Sequence, residues 1–191
     1  LLLKRNRPNE TVTALMRIDD LIQRMGGITK QLKSFARKNT ESFVPVNFNG
    51  AFLSAMAIME PQLKQAKVKI ETLIEPEAVI IMADQQRLEQ VIINLLRNAL
   101  DAVMEVEEPE IKISLYKDES AIFLLRDNGK GISNLETIFE PFQTTKDLGK
   151  GLGLGLAISS NIISELGGTL QGRNLSSKGA EFKITLPLFD P

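Results

Sequence analysis

Apolar residues recur at steps of three and four along the first forty residues of the chain. They form one stripe, with charged residues on the other faces: Leu15, Ile18, Ile22, Met25, Leu32 and Phe35. This period is that of an α-helix with one apolar face. It predicts a long helix over residues 10–38, of a length typical of a coiled coil or helical bundle. An amphipathic helix lying on its own domain is the alternative.

Short apolar runs and helical patterns alternate through the rest of the chain. Strands are predicted at 43–48, 68–74, 79–82, 111–116, 121–126, 169–174 and 180–186, and helices at 50–64, 84–106 and 154–166. Asp84 is a predicted cap of the second helix, and Gly167-Gly168 ends the third. We therefore expect an α/β fold: a two-layer sandwich of a mixed sheet with helices on one face, preceded by the long N-terminal helix. The predicted domains are residues 1–40 and 41–191.

The residue types present exclude several kinds of chemistry. The 191-residue chain contains no Cys and no His, which excludes disulfides, thiolate zinc sites, cysteine nucleophiles, imidazole metal sites and histidine acid–base catalysis. Its net charge of -1 argues against a nucleic-acid partner, whose binding face is strongly basic. No apolar run approaches the roughly 20 residues that cross a bilayer. The remaining oxygen-rich groups suit phosphate and Mg²⁺ chemistry.

The sequence DNGKGI at 127–132 follows a predicted strand. A carboxylate at this strand end, Asp127, can accept a hydrogen bond from the exocyclic amino group of adenine, whereas guanine would present an oxygen there. Gly129 and Gly131 let the backbone approach a base because neither carries a Cβ, and Ile132 ends the motif. The motif predicts an adenine site; an ordinary turn between two elements is the alternative.

The helix predicted at 84–106 carries polar residues on one face. Asn94, Asn98 and Asp101 follow one another at steps of four and three, which places them on the same side of a helix. Asn is a poor helix former, so two of them in this helix indicate a function. An amide oxygen suits one position around a Mg²⁺ ion that phosphates already hold, and Asn98 is our candidate. The alternative is a polar outer face.

A ladder of glycines leads into the last predicted helix. Its members alternate with other residues: Gly149, Gly151, Gly153 and Gly155, with Leu152 and Leu154 between them. Backbone N–H groups of such a loop, at a helix N-terminus, can bind phosphate oxygens. The spacing excludes a P-loop and a Rossmann dinucleotide motif.

The polar sequence EPFQTTKDL at 140–148 precedes this ladder. Its composition predicts a lid over the phosphates. Thr144, Thr145, Lys146 and Lys150 are available there as hydrogen-bond donors.

Together these motifs resemble the ATP-binding domain of sensor histidine kinases, within the superfamily that includes gyrase, the ninety-kilodalton heat-shock chaperones and mismatch-repair ATPases. The matching segments are 92–102 (N box), 127–132 (G1 box), 138–146 (F box), 151–158 (G2 box) and 178–188 (last strand pair). The sequences NALDA and PFQTTK are most similar to nitrogen-regulation and C4-dicarboxylate sensor kinases.

The resemblance implies that Asp127 binds adenine and that Asn98 binds Mg²⁺. The other nucleotide contacts it implies are Asn94, Asp101, Gly129, Gly131, Ile132, Phe142, Thr144, Thr145, Lys146, Gly149, Lys150, Gly151, Leu152, Gly153, Leu154, Gly155 and Thr185. Asn94 stands where hydrolysing relatives carry a glutamate that activates water. Because an amide cannot take a proton, we expect slow hydrolysis and transfer of the γ-phosphate instead.

The N-terminal helix resembles the second helix of a kinase dimerisation hairpin. The phosphoacceptor His of that family belongs on the first helix, which we expect upstream of Leu1, so no catalytic residue is predicted in this chain. We expect the cytoplasmic portion of a larger membrane-bound sensor that makes no membrane contact itself. The expected partners are ATP and a response regulator, with a homodimer in the full-length kinase.

Three other functions stay open. An ATP hydrolase of the gyrase or chaperone type would release phosphate steadily. A non-catalytic nucleotide-binding and dimerisation module would retain ATP without transferring phosphate. A serine kinase of the related anti-sigma kind is the third, although the N-terminal helix fits it poorly.

Overall fold

The computed structural model describes residues 11–16, 18, 19, 22, 26, 43–144 and 152–189. Its strands are β1 (Val44–Asn47), β2 (Lys69–Ile74), β3 (Ile80–Ala83), β4 (Glu110–Lys117), β5 (Ala121–Asp127), β6 (Thr169–Asn174) and β7 (Ala180–Leu186). Its helices are α1 (Phe48–Gln65), α2 (Gln85–Val103) and α3 (Gly155–Glu165). Every strand and helix predicted between residues 43 and 186 is therefore confirmed.

Five of the strands form one mixed sheet in the order β2-β4-β5-β7-β6. β2 runs parallel to β4, and the other neighbours are antiparallel. β1 and β3 pair antiparallel in a separate two-stranded sheet. The sequence did not predict this second sheet, because short apolar runs indicate strands without indicating their partners.

The helices cover one face of the five-stranded sheet. Burial alternates along β5, where Ala121, Phe123 and Leu125 are buried and the residues between them are partly exposed. Phe48 and Phe52 of α1 contact Phe123, with ring centroids 5.8 and 6.1 Å apart. α2 contacts β4 and β5, and α3 contacts β6. The predicted two-layer α/β fold is confirmed.

Both predicted helix ends are confirmed. The Asp84 side chain accepts a hydrogen bond of 3.1 Å from the Arg87 N–H and so caps α2. After α3, Gly167 adopts a φ of 75°, and its N–H donates to the Ser164 carbonyl at 3.0 Å. Asp84 thus fixes where α2 begins, and Gly167 fixes where α3 ends.

The N-terminal region is described in part. Residues 11–16, 18, 19, 22 and 26 are helical, and the rest of the helix predicted at 10–38 lies outside the described residues. The chain forms two compact units: Leu1–Asn39 with Thr144–Leu152, and Thr40–Gln143 with Gly153–Pro191. The seven strands and three helices all belong to the second unit. Among the described helices, none combines the length and apolar character needed to cross a membrane.

Candidate functional site

Asp127, the last residue of β5, is buried with only 3% of its surface exposed. Its Oδ1 accepts hydrogen bonds from the Gly129 N–H at 2.9 Å and the Ala180 N–H at 3.4 Å. Its Oδ2 is buried without a partner among the described residues. Burial raises the pKa of this carboxyl, and the two backbone hydrogen bonds offset part of the rise. Within the described ranges, one oxygen of this carboxyl is thus left without a donor.

The loop after Asp127 packs against the end of α2. A Cβ on Gly129 would lie 2.5 Å from the carbonyl oxygen of Ala102, so only glycine fits this approach. The Lys130 N–H donates to the same carbonyl at 3.4 Å. Gly131 has a φ of +76°, in the left-handed region that favours glycine. The structure therefore brings Gly129 of the DNGKGI motif to the helix that carries the candidate asparagines.

One residue of the predicted polar face of α2, Asn94, contacts the first turns of α3. The Asn94 amide donates to the Gly155 carbonyl and to the Ser159 hydroxyl, both at 3.4 Å. Asn98 is half-buried and Asp101 is exposed, and both have interacting partners. Asn94 and Gly155, predicted from two separate motifs, are thus in direct contact.

The glycine ladder ends at the N-terminus of α3. Leu154 precedes the helix, is 1% exposed and provides no side-chain cap. Gly153 has a φ of +68°, and a Cβ there would overlap the backbone of Gln143. The first turn of α3 thus begins directly after a close contact between two backbone segments.

The remaining predicted contacts fall into three groups. Phe142 is exposed with a φ of 66°, and Ile132 is half-buried. Thr144 is exposed and Leu152 is half-buried; both belong to the first compact unit. Five predicted contacts lie outside the described residues: Thr145, Lys146, Gly149, Lys150 and Gly151.

The structure does not bring Thr185 to this site. Thr185 of β7 pairs with Ile122 of β5, and side chains alternate between the two faces of a sheet. Asp127 lies five positions from Ile122 on the same strand and so points to the opposite, helix-covered face. The prediction of Thr185 as a nucleotide contact is therefore not supported by its position.

Sequence reasoning missed four residues around the site. Gly179 and Ala180 contact Asp127, the Ser159 hydroxyl donates to the Gly155 carbonyl at 2.9 Å, and the Asn174 amide hydrogen-bonds Ile132. Gly179 and Ala180 belong to the KGAEF sequence at 178–182, which was predicted only as part of the last strand pair. Ser159 and Asn174 carried no local signal.

A cavity of about 600 Å³ opens along the other face of the sheet, away from Asp127. Its lining includes Glu181, which pairs with Arg126 at 2.5 Å and Arg173 at 2.6 Å. Arg173, aided by Arg126, lowers the pKa of Glu181 against the opposing effect of burial. These ion pairs connect β5, β7 and β6, which indicates a structural role.

Residues 83–190 match the family described as histidine kinase-, DNA gyrase B- and HSP90-like ATPases. The chain belongs to this family. It is therefore an ATP-binding domain, and the match includes Asp127, α2 and α3.

Two proteins of known kind illustrate the similarity. The chain is 36% identical to the C4-dicarboxylate transport sensor protein DctB of Rhizobium meliloti (strain 1021), over 93% of this chain and 29% of that protein. It is 30% identical to the catalytic domain of histidine kinase ThkA, with a TM-score of 0.68, over 77% of this chain and 96% of that domain. The chain spans about a fifth to a third of the length of the curated relatives it matches.

A third comparison extends over almost the whole chain. Histidine kinase ThkA in complex with response regulator protein TrrA is 25% identical, with a TM-score of 0.77, over 97% of this chain and 53% of that one. The similarity to sensor histidine kinases thus extends beyond the family match at 83–190.

Proposed function

We propose that this chain is the Mg-ATP-binding catalytic domain of a two-component sensor histidine kinase. It would transfer the γ-phosphate of ATP to a histidine outside this sequence, which contains none, for relay to a response regulator. The relatives named above are sensor proteins and histidine kinases, and they support this proposal over the other activities of the family.

The buried Oδ2 of Asp127, which has no hydrogen-bond partner in the described part of the chain, carries the proposal. A buried acceptor without a donor is costly and calls for an explanation. The N6 amino group of adenine supplies the donor that is missing, whereas O6 of guanine would add a second acceptor. The residues present therefore fit adenine.

Mg²⁺ is the proposed metal, and Asn98 is its proposed protein ligand. Within the described part of the chain, no three His, Cys, Asp or Glu residues are grouped as a metal site. A cation bound here would take most of its ligands from phosphate oxygens and water, with the Asn98 amide oxygen as one addition. When bound, Mg²⁺ neutralises charge on the transferred phosphoryl group.

The N-terminus of α3 is the proposed phosphate end of the site. The helix has eleven residues, and its first turn lacks a side-chain cap, which leaves backbone N–H groups for an anion. Asn94 holds this turn through the Gly155 carbonyl. Adenine at Asp127 and phosphates at α3 would thus be bound by two elements that α2 connects.

Transfer to histidine is favoured over hydrolysis by the chemistry of Asn94. Its amide has no basic group to accept a proton from water, and its N–H₂ group is engaged with Gly155 and Ser159. In the proposed step, the bond from the γ-phosphorus to the bridging oxygen breaks and a phosphorus–nitrogen bond to imidazole forms. ADP leaves, and the imidazole proton passes to solvent.

We also propose the domain organisation and partners that the sequence predicted. Residues 1–40 would form part of a dimerisation hairpin, and residues 41–191 the ATP-binding domain. The response regulator in the ThkA complex supports such a partner for this chain. A homodimer of the full-length kinase and a location in the cytoplasmic portion of a membrane sensor remain predictions.

Labelled ATP tests the proposed reaction. The chain is incubated with Mg²⁺, γ-labelled ATP and a separate protein that carries the histidine-bearing helix of a related sensor kinase. We expect acid-labile label on the added helix and little free phosphate. Steady release of free phosphate without label would identify a hydrolase instead, and bound ATP with neither product would identify a non-catalytic module.

Two substitutions test the site through the affinity for ATP. Asp127→Asn places an amide donor opposite the adenine amino group, so we expect ATP affinity to fall about a hundredfold. Thr185→Val is the matched control, because Thr185 lies on the other face of the sheet, and we expect unchanged affinity. Equal affinities for all three proteins, measured by calorimetric titration, would contradict the adenine assignment.

A further inference from the structure

Asn174, the last residue of β6, makes two hydrogen bonds to a single residue 42 positions earlier in the chain. Its Oδ1 accepts from the Ile132 N–H at 2.7 Å. Its Nδ2 donates to the Ile132 carbonyl at 2.8 Å. One side-chain amide thus satisfies both backbone groups of Ile132, in the way that a neighbouring strand would.

The same amide is in close contact with Gly131. A Cβ on Gly131 would lie 2.8 Å from the Asn174 Oδ1, and the φ of +76° at Gly131 turns the chain toward the amide. Only a glycine lets the backbone reach this position without displacing Asn174. The position of the Asn174 amide therefore requires a glycine at residue 131.

The other end of the 128–132 loop is held by different partners. The Asn128 N–H donates to the Glu110 carbonyl at 3.2 Å, and the Gly129 N–H donates to Asp127 at 2.9 Å. The Lys130 bond to Ala102 is longer, at 3.4 Å. Asn174 thus provides the short hydrogen bonds that fix the far end of this loop.

Asn174 stands on the hairpin that also contacts Asp127. It is in register with Ala180, whose N–H donates to the Asp127 carboxylate. The Leu175 N–H donates to the Gly179 carbonyl at 3.0 Å and closes the hairpin. The loop and Asp127 are consequently both attached to the same end of the β6–β7 hairpin.

We infer that Asn174 is a positioning residue for the nucleotide site: its amide fixes the backbone of Gly131 and Ile132 relative to Asp127 and thereby sets the affinity for adenine nucleotides. The inference rests on the proposed function. Asn174 acts through the loop, because both ends of its amide are engaged with the Ile132 backbone. Loss of the Asn174 amide should weaken the binding of ATP and of ADP by the same factor, because the loop borders the base and both nucleotides carry the same base.

Asn174→Ala tests this role, with Asn49→Ala as the matched control. The Asn49 side-chain amide likewise makes two hydrogen bonds to the backbone elsewhere in the fold: it donates to the Glu75 carbonyl at 2.7 Å and accepts from the Val79 N–H at 3.1 Å. Both variants lose a similar cross-link, so both should lower the unfolding midpoint. We expect only Asn174→Ala to weaken ATP and ADP binding, by about tenfold, with faster hydrogen exchange at the Ile132 amide.

Asn174→Asp is the second variant, for the case that Asn174→Ala folds poorly. The carboxylate keeps an acceptor for the Ile132 N–H and loses the donor to its carbonyl. We expect the Ile132 amide to stay protected and the loss of affinity to be smaller than tenfold. Unchanged affinity in either folded variant would overturn the inference, as would an equal loss in Asn49→Ala.

The same titrations separate this inference from the proposed function. If the unsubstituted chain binds ATP and Asp127→Asn loses it, the site stands and the Asn174 variants decide the positioning role. If the unsubstituted chain binds no adenine nucleotide, the proposed function itself fails, and the inference fails with it.

Discussion

The two oxygens of the Asp127 carboxyl differ sharply in their surroundings. Oδ1 has two backbone donors, while Oδ2 has none among the residues that the structure describes. An unsatisfied buried acceptor costs about 1–3 kcal/mol, which is a large share of the stability of a small domain. The unsatisfied oxygen thus lowers the stability of the nucleotide-free chain, and a ligand that donates a hydrogen bond to it restores that stability.

This cost makes a prediction for the pH dependence of the nucleotide-free chain. Burial raises the pKa of Asp127 above its ordinary value of 3.8, so the folded chain binds this proton more tightly than the unfolded chain does. Ionisation of Asp127 therefore lowers stability as the pH rises through the window above 3.8. Asp127→Asn has no ionisable group at this position. The free energy of unfolding of the variant minus that of the unsubstituted chain should therefore increase as the pH rises through that window.

Urea unfolding of the two proteins at a series of pH values measures this difference. Other groups titrate equally in both proteins, so their effects cancel in the comparison. A difference that stays constant with pH, or that shrinks as the pH rises, would show that burial does not raise the pKa of Asp127.

At the scale of elements, the contact between α2 and the loop after β5 depends on Gly129. A Cβ there would lie 2.5 Å from the Ala102 oxygen and 2.7 Å from its carbon, both backbone atoms that cannot rotate away. We expect Gly129→Ala to destabilise the chain by about 1–3 kcal/mol, as overpacking does. ATP affinity should fall as well, because the loop must move away from Asp127.

Gly50→Ala is the matched control for Gly129→Ala. Gly50 lies in α1, and a Cβ there would meet only the Asn47 side chain at an ordinary 3.9 Å. Because Ala favours a helix over Gly, the variant should be more stable by up to about 1 kcal/mol. Thermal unfolding and calorimetric titration measure both quantities; a Gly129→Ala variant with unchanged stability and affinity would contradict the close contact.

The elements themselves were largely predictable from the sequence. β6 and β7 have the bounds predicted for them: apolar and polar residues alternate along β7, and Gly167-Gly168 and the turn at 175–179 mark where β6 begins and ends. The pairing of β1 with β3 in a separate sheet was not predicted. Thr185, predicted as a nucleotide contact, lies on the face of the sheet opposite to Asp127, because a motif match carries no information on the alternation of side chains along a strand.

Contacts between distant segments account for what the sequence could not predict at the site. The Asn94 amide meets Ser159 across 65 positions, and Asn174 meets Ile132 across 42. Neither Ser159 nor Asn174 stands in a local pattern that distinguishes it from a surface residue. The packing of α2 against α3 brings Ser159 to Asn94, and the place of β6 beside β7 in the sheet brings Asn174 to the loop after Asp127.

The site thus draws on most of the second compact unit, from Asn94 on α2 to Ala180 on β7. A ligand that binds such a site only when the whole unit is folded stabilises every part of it equally. At about 100 times its dissociation constant, Mg-ATP should add about 2.7 kcal/mol to the free energy of unfolding.

Hydrogen exchange with and without Mg-ATP tests this prediction for the whole unit. The slowest amides in the centres of β4, β5 and β7 exchange through global unfolding, so each should slow by the same factor of about one hundred. The Asp127→Asn variant, with about hundredfold weaker affinity, should show only about twofold slowing at the same ATP concentration. Protection confined to the loop at 127–132 would mean that ATP binding stabilises only that loop, and that the strands of the sheet open independently of the site.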